Sequence, residues 1–298
     1  MSHIRRHHTS VTKFYKSIYI KTEDEIEKLR RAAKIVAETL DLLGKYIKPG
    51  VSTYELDKIA EDYILSKGAE PAFKGYVVDG REFPNSLCIS IDEEVVHGIP
   101  RKDRFLKEGE IVSIDCGTRL DGYYGDSAMT YAVGEIDDTK KLLLEVTEKA
   151  LMLGVEQAVD GNKLYDISGA IQTYVESFGF NLTRELVGHG IGKNLHEEPP
   201  VPNFIPPLLH RQNYPNVKLQ SGMALAIEPM VHAGGKTIRT LDDGWTVVTA
   251  DGSPAAHFEH TVIVMKGDPL ILTLRAVSYT HLRAHETPEH LVCRLLLE

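Results

Sequence analysis

From Thr22, in "TEDEIEKLRRAAKIVAETLDLL", the apolar residues Ile26, Leu29, Ala33, Val36, Leu40 and Leu43 fall three or four apart, the spacing that lays one stripe of a helix against a core. Thr22 with Glu25 makes a capping box that marks its start. A second helix is expected after "KPGVSTYEL", opened by Ser52 and Glu55 and stopped near Gly68. Two further helices are predicted over 138–158 and 164–178. Between them stand short apolar runs punctuated by glycine, read as strands over 87–91, 111–116, 224–227, 246–249 and 260–264. Helices alternating with hairpin-like strands predict an α+β fold with helices on one face of a mostly antiparallel sheet.

The pattern repeats. Gly50, Tyr54, Glu55, Leu56 and Gly68 stand at a constant offset from Gly161, Tyr165, Asp166, Ile167 and Gly179. "HGIP" at His97 is answered by "HGIG" at His189, and "GEIVSID" ending at Asp115 by "GMALAIE" ending at Glu228. Each half therefore reads as two helices, an HGI turn and a strand that ends in an acid. A pseudo-symmetric sheet would bring Asp115 and Glu228 to a common centre. No Pro/Ser linker separates the halves, so one domain is expected.

Composition narrows the class. With 298 residues, 42% hydrophobic and 26% charged, the chain can bury a substantial core. A net charge of -9 argues against broad nucleic-acid binding, although the first sixteen residues carry Arg5, Arg6, Lys13 and Lys16 without an acid. Residues 1–18 are read as a solvated basic arm. Neither a secretory signal nor a membrane-length apolar run is present, which predicts a cytoplasmic protein. Cys88, Cys116 and Cys293 lack CxxC spacing and read as free thiols. The segment 277–298, "VSYTHLRAHETPEHLVCRLLLE", fits no period of the preceding text, and its first eleven residues resemble a translated sequencing adapter. It is read as non-native, so His281, His285 and His290 are not counted as ligands.

Candidate chemistry gathers on acids in apolar text. In "IDCGTRLDGYYGDSAMTY", Asp115 ends a strand and Asp126 lies eleven residues on across a glycine-rich reversal, so two antiparallel strands could present both carboxylates on one side. Glu228 follows "MALAI" and Glu259 sits in "AAHFEHTVIV". Buried carboxylates are costly unless paired or metal-bound, and no Lys or Arg is interleaved with these four. A divalent metal is the better counter-charge than a structural ion pair. His189, in "GHGIGKNLHEEPP", would add a nitrogen ligand; no ordinary helix or strand is expected in a stretch so crowded with glycine, acid and proline. Oxygen-rich donors with one imidazole suit Mn, Fe(II) or Co better than a closed structural zinc site. Gly188, Gly190 and Gly192 do not match a phosphate-loop spacing.

Asp115, Asp126, His189, Glu228 and Glu259, in that order and spacing, with "GHGIG", "HEEP", "IEPM" and "FEHT", resemble the type I methionine aminopeptidases over roughly residues 19–274. The resemblance implies the pseudo-twofold pita-bread fold, a single catalytic domain over 19–276, two divalent ions per chain (Fe(II), Mn, Co or Zn), and removal of the initiator methionine when the second residue is small. It implies that Asp115 chelates one ion, that His189 and Glu228 hold the other, and that Asp126 and Glu259 bridge them. Glu228 would be the general base. His97 and His196 would hydrogen-bond substrate and stabilise the tetrahedral intermediate, and Tyr76, Phe83, Cys88 and Trp245 would line the methionine pocket. The implied partners are nascent polypeptide N-termini, with ribosome docking open, and no membrane or specific nucleic acid; a monomer is expected.

Two departures stand near the substrate. The segment "VVDGRE" between Tyr76 and Phe83 is longer than the turn expected of the family, and Leu195 occupies a position usually aromatic. A proline-directed peptidase of the same fold is the nearest rival, disfavoured because only about twenty residues precede the first helix. A metal-free peptide-binding relative should have lost ligands, yet all five positions are filled.

Overall fold

The computed structural model describes residues 17–275. Most of the basic arm and the segment 277–298 lie outside them.

The helical periods hold. Helix α1 spans Glu23–Gly44, with the Thr22/Glu25 capping box formed and Leu29, Ala33, Val36, Leu40 and Leu43 buried. Helix α2, Thr53–Ser66, is capped reciprocally by Ser52 and Glu55, and Gly68 beyond it takes φ 73°, the left-handed value glycine adopts without strain. Helix α3 spans Asp138–Val155 and α4 spans Leu164–Ser177. The third helix stops short of residue 158 because the chain turns to place Val159 in a bridge with Met265.

Seven strands belong to the first half: β1 Glu70–Pro71, β2 Val77–Val78, β3 Arg81–Glu82, β4 Leu87–Ile91, β5 Glu94–Val96, β6 Ile111–Leu120 and β7 Tyr123–Ala132. Ten follow α4: β8 Asn181–Leu182, β9 Gly188–Gly190, β10 Glu197–Val201, β11 Ala224–Ile227, β12 Met230–His232, β13 Ile238–Thr240, β14 Val247–Thr249, β15 Ala255–His257, β16 His260–Ile263 and β17 Leu270–Ile271. Every strand ladder among the described residues is antiparallel.

Two corrections concern glycine. Strand β6 runs past Cys116 to Leu120, because a Cβ on Gly117 would come within 2.7 Å of Phe73; the bare residue lets the segment around Phe73 lie on the strand. The stretch around His189 does form regular structure. Gly188–Gly190 is a strand between β10 and β11, and a Cβ on Gly188 or Gly190 would stand 2.3 Å from the carbonyl oxygen of Ala226 or Glu198. Glycine is required there for backbones to meet.

The two halves share a plan. In the first, β4 pairs β6 and β6 pairs β7, under a core of α1, α2 and strand residues such as Leu40, Leu56, Ile89 and Ile114. In the second, β9 pairs β11 and β11 pairs β16, under α3 and α4 with Leu143, Ile167, Leu225 and Val262. The meanders meet where Glu259 N–H donates to the Ala128 carbonyl at 2.9 Å and Thr261 Oγ1 donates to the Asp126 carbonyl at 2.7 Å. No helix among the described residues is long and apolar enough to cross a membrane.

Candidate metal centre

At that meeting line the acids converge. Asp115 projects from β6 and Asp126 from β7, where Asp115 pairs Ala128 and Gly117 pairs Asp126, so the carboxylates are diagonal neighbours on one face. In the second half Glu228 follows β11 directly and Glu259 precedes β16. The equivalence expected for Asp115 and Glu228 thus extends to Asp126 and Glu259. All four carboxylates, with His97, His189 and His196, line one cavity of about 140 Å³.

The centre is short of protons and cations. Among the described residues, Asp115 Oδ1, Asp126 Oδ1 and Glu259 Oε1 are buried without a hydrogen-bond partner, and no Lys or Arg forms an ion pair with any of the four acids. Burial is the largest influence on each: it pushes the Asp115, Asp126, Glu228 and Glu259 carboxyls above the carboxylate range, and mutual repulsion adds to the rise for Asp115, Asp126 and Glu259. Oxygens of Asp126 and Glu259 and a nitrogen of His189 lie within 4.8 Å of one another, a spacing that one ion could span.

His189 is prepared to donate a lone pair. Its Nδ1 lies 2.9 Å from the Gly190 carbonyl, which can only accept, so Nδ1 carries the proton. That leaves Nε2 facing Glu228 Oε1 at 3.6 Å and Asp126 Oδ2 at 3.9 Å. Burial lowers its pKa to about 3, so the ring stays neutral, as a ligand must. Asn203 Nδ2 holds the Glu228 carbonyl at 2.9 Å.

The other predicted residues surround these. His97 follows β5 with φ 60°, a left-handed conformation costly for a residue with a Cβ and tolerated where the surroundings enforce it. A Cβ on the next residue, Gly98, would stand 2.1 Å from the Ile89 carbonyl, so the turn closes against β4. His196 lies over the cavity with Nδ1 2.7 Å from the Tyr76 hydroxyl. Tyr76, Phe83, Cys88 and Trp245 make an apolar wall on which the Phe83 and Trp245 rings meet edge to face. Val78, from the 77–82 segment, and Leu195 complete the lining together with Phe73, which had not been singled out from sequence.

His257 was also missed. Its Nε2 is buried 3.5 Å from Glu228 Oε2 without completing a hydrogen bond. The signal was present in "HFEHT": residues two apart on an extended strand share a face, so His257 and Glu259 belong together.

The model of metallopeptidase family M24 matches residues 27–266. The chain belongs to metallopeptidase family M24. It is 53% identical over 257 residues to the methionine aminopeptidase of Clostridium acetobutylicum, covering 86% of this chain and 99% of that one. Against methionine aminopeptidase 1 of Bacillus subtilis it is 52% identical over 256 residues, covering 86% and 99%. The crystal structure of methionine aminopeptidase from Thermotoga maritima superposes with a TM-score of 0.81 at 44% identity, covering 86% and 99%. Prolidase from Pyrococcus furiosus, at 22% identity and a TM-score of 0.69, covers 88% of this chain and 67% of its own and shares the fold alone. The M24 chain thus has the pita-bread fold and is a hydrolase of peptides.

Proposed function

We propose that this M24 peptidase removes the N-terminal methionine of new polypeptides whose second residue is small, by metal-assisted hydrolysis of the first peptide bond. One observation carries the reading: unpartnered acid oxygens from both halves converge with a neutral imidazole at the base of an apolar cavity. An ion pair would have left a cation there. The unpartnered oxygens, carboxylate-rich donor set and prepared His189 suit two divalent ions, drawn from Fe(II), Mn, Co or Zn.

Asp115, Asp126, His189, Glu228 and Glu259 would hold the ions, which when bound polarise the scissile carbonyl and acidify water. Glu228 takes a proton as attack proceeds and returns it to the leaving amine, a role open to a carboxylate at the edge of the acid cluster that faces His189 and His257. His97 is kept neutral because burial lowers its pKa to about 4, so it approaches substrate without adding charge. With His196 it orients the scissile amide and hydrogen-bonds the developing oxyanion. The wall of Tyr76, Phe83, Cys88 and Trp245 receives the thioether side chain. A neighbouring cavity of about 130 Å³, which shares His97 and His196 with the first and is also bounded by Val96, Leu186, Val187 and Met230, supports a small second residue.

The test compares Met-Ala-Ser, Leu-Ala-Ser and Ala-Pro-Ala after metal removal and after adding Mn, Fe(II) or Co. Metal-dependent release of methionine alone is expected. Cleavage only before proline, or none with metal bound, would refute the reading.

A further inference from the structure

Of the fourteen residues lining the cavity that holds the four acids, only Val78 and His196 are exposed. The rest are buried or half-buried, so these two side chains stand at the open side of the cavity, where a peptide whose first residue lies inside can leave. His196 is tied to Tyr76. Val78 comes from the segment that departs from the family's expected length, and that segment is a two-stranded hairpin: Val77 pairs Glu82 and Val78 pairs Arg81. Asp79 and Gly80 take φ 50° and 77°, the paired left-handed residues of a tight turn whose twist suits a hairpin.

Cross-strand partners share a face, so Arg81 lies on the same side as Val78. Its guanidinium covers Gly244, the residue before Trp245: a Cβ there would overlap Arg81 Nη1. The hairpin is thereby laid onto the Trp245 loop with Val78 turned to the mouth. Val78 is 44% exposed, and Val77, facing the other way, is 59% exposed. Leaving a valine so open at the lip of a polar centre gives it apolar surface to cover.

We propose that the Val77–Glu82 hairpin is a specificity element for the peptide beyond the scissile bond, with Val78 packing against an apolar side chain at the third substrate residue. Arg81 is a positioning residue that holds the ribbon over Trp245. The proposal rests on the methionine-removing reading above.

The experiment measures kcat/KM of the metal-loaded full chain on Met-Ala-Leu and Met-Ala-Ser. A half-exposed apolar contact predicts a preference for Leu of about three- to tenfold, the lower reach of what apolar pockets supply. Val78→Ser should bring that ratio close to one, Val77→Ser should leave it as it was, and Arg81→Ala should reduce it with Val78 intact. An equal ratio in the wild-type protein and Val78→Ser, or equal loss in Val77→Ser, would overturn the proposal. Both substrates releasing methionine at unaltered relative rates sinks only the hairpin; neither releasing it sinks the functional reading instead.

Discussion

Glu25 and Glu259 are both buried carboxylates, and the fold treats them in opposite ways. Burial alone would push Glu25 up, but the Thr22 N–H, the Tyr123 and Tyr19 hydroxyls and the Lys193 ammonium, at 2.9–3.3 Å, outweigh it and hold its pKa at about 2. Glu259 is buried beside Asp126, Glu228 and Asp115, with one oxygen unpartnered, and is driven upward. The same chain can surround an acid with donors when the acid serves structure. Leaving four acids without a cation at the seam between its halves marks a place kept for one from outside.

The strongest test of that contrast removes single acids. Asp126→Asn and Glu228→Gln should each cut methionine release by more than about a thousandfold, roughly 4 kcal/mol of transition-state stabilisation. Circular dichroism should stay unchanged, and metal-free Asp126→Asn should unfold at the wild-type urea midpoint or above it, because burial and the neighbouring acids disfavour the ionised carboxyl that the substitution removes. A lower midpoint would mean that the acid was structural.

Metal addition should produce the next largest effect. An ion at about a thousand times its Kd adds ~4 kcal/mol, or roughly 10 °C in Tm for a chain this size. Calorimetry of stripped and reloaded protein reads it, and Asp126→Asn should not respond. Glu25→Gln should behave in reverse: about 2 kcal/mol lost, metal or no metal, from hydrogen bonds made to a charged group, with kcat/KM changed less than about twofold.

The contrast also shows in pH. Asp115 is raised to about 7 and Glu228 to about 8, so the folded metal-free protein binds protons that the unfolded chain has released. Its stability should therefore fall as pH rises from about 5 to 8, and loading metal should flatten the slope. Glu25 has the opposite sign. Its contribution is present above the ordinary carboxylate pKa and is lost as pH falls towards about 2, a limb that Glu25→Gln should flatten. Thermal unfolding across both ranges separates the two.

Legibility followed the range of the forces involved. The capping boxes at Thr22 and Ser52 and the apolar stripe of α1 were readable because each is settled within a few residues. The four candidate acids were readable because an acid in apolar text is anomalous wherever it lies, and His189 because its glycine-crowded surroundings are. Partners distant in sequence hid the rest. Strand β6 continues through Gly117 because Phe73 needs the space, and Gly188–Gly190 is a strand because Ala226 and Glu198 press against it. Neither neighbour is local. His257 stood two residues from an acid already chosen and lacked only the alternation argument.

The meeting of two halves at the seam also sets a schedule. A chain grows from its N-terminus, and Asp115 and Asp126 are made well before His189, Glu228 and Glu259. Through most of synthesis the early pair has no partners, and a truncated product holds two acids on a hairpin rather than a cage. The last donor, at position 259, comes when nearly all the core described here has been translated. On the ligand set proposed above, catalytic competence arrives late and all at once, so a fragment abandoned before Glu259 is not a weak peptidase but an inert one.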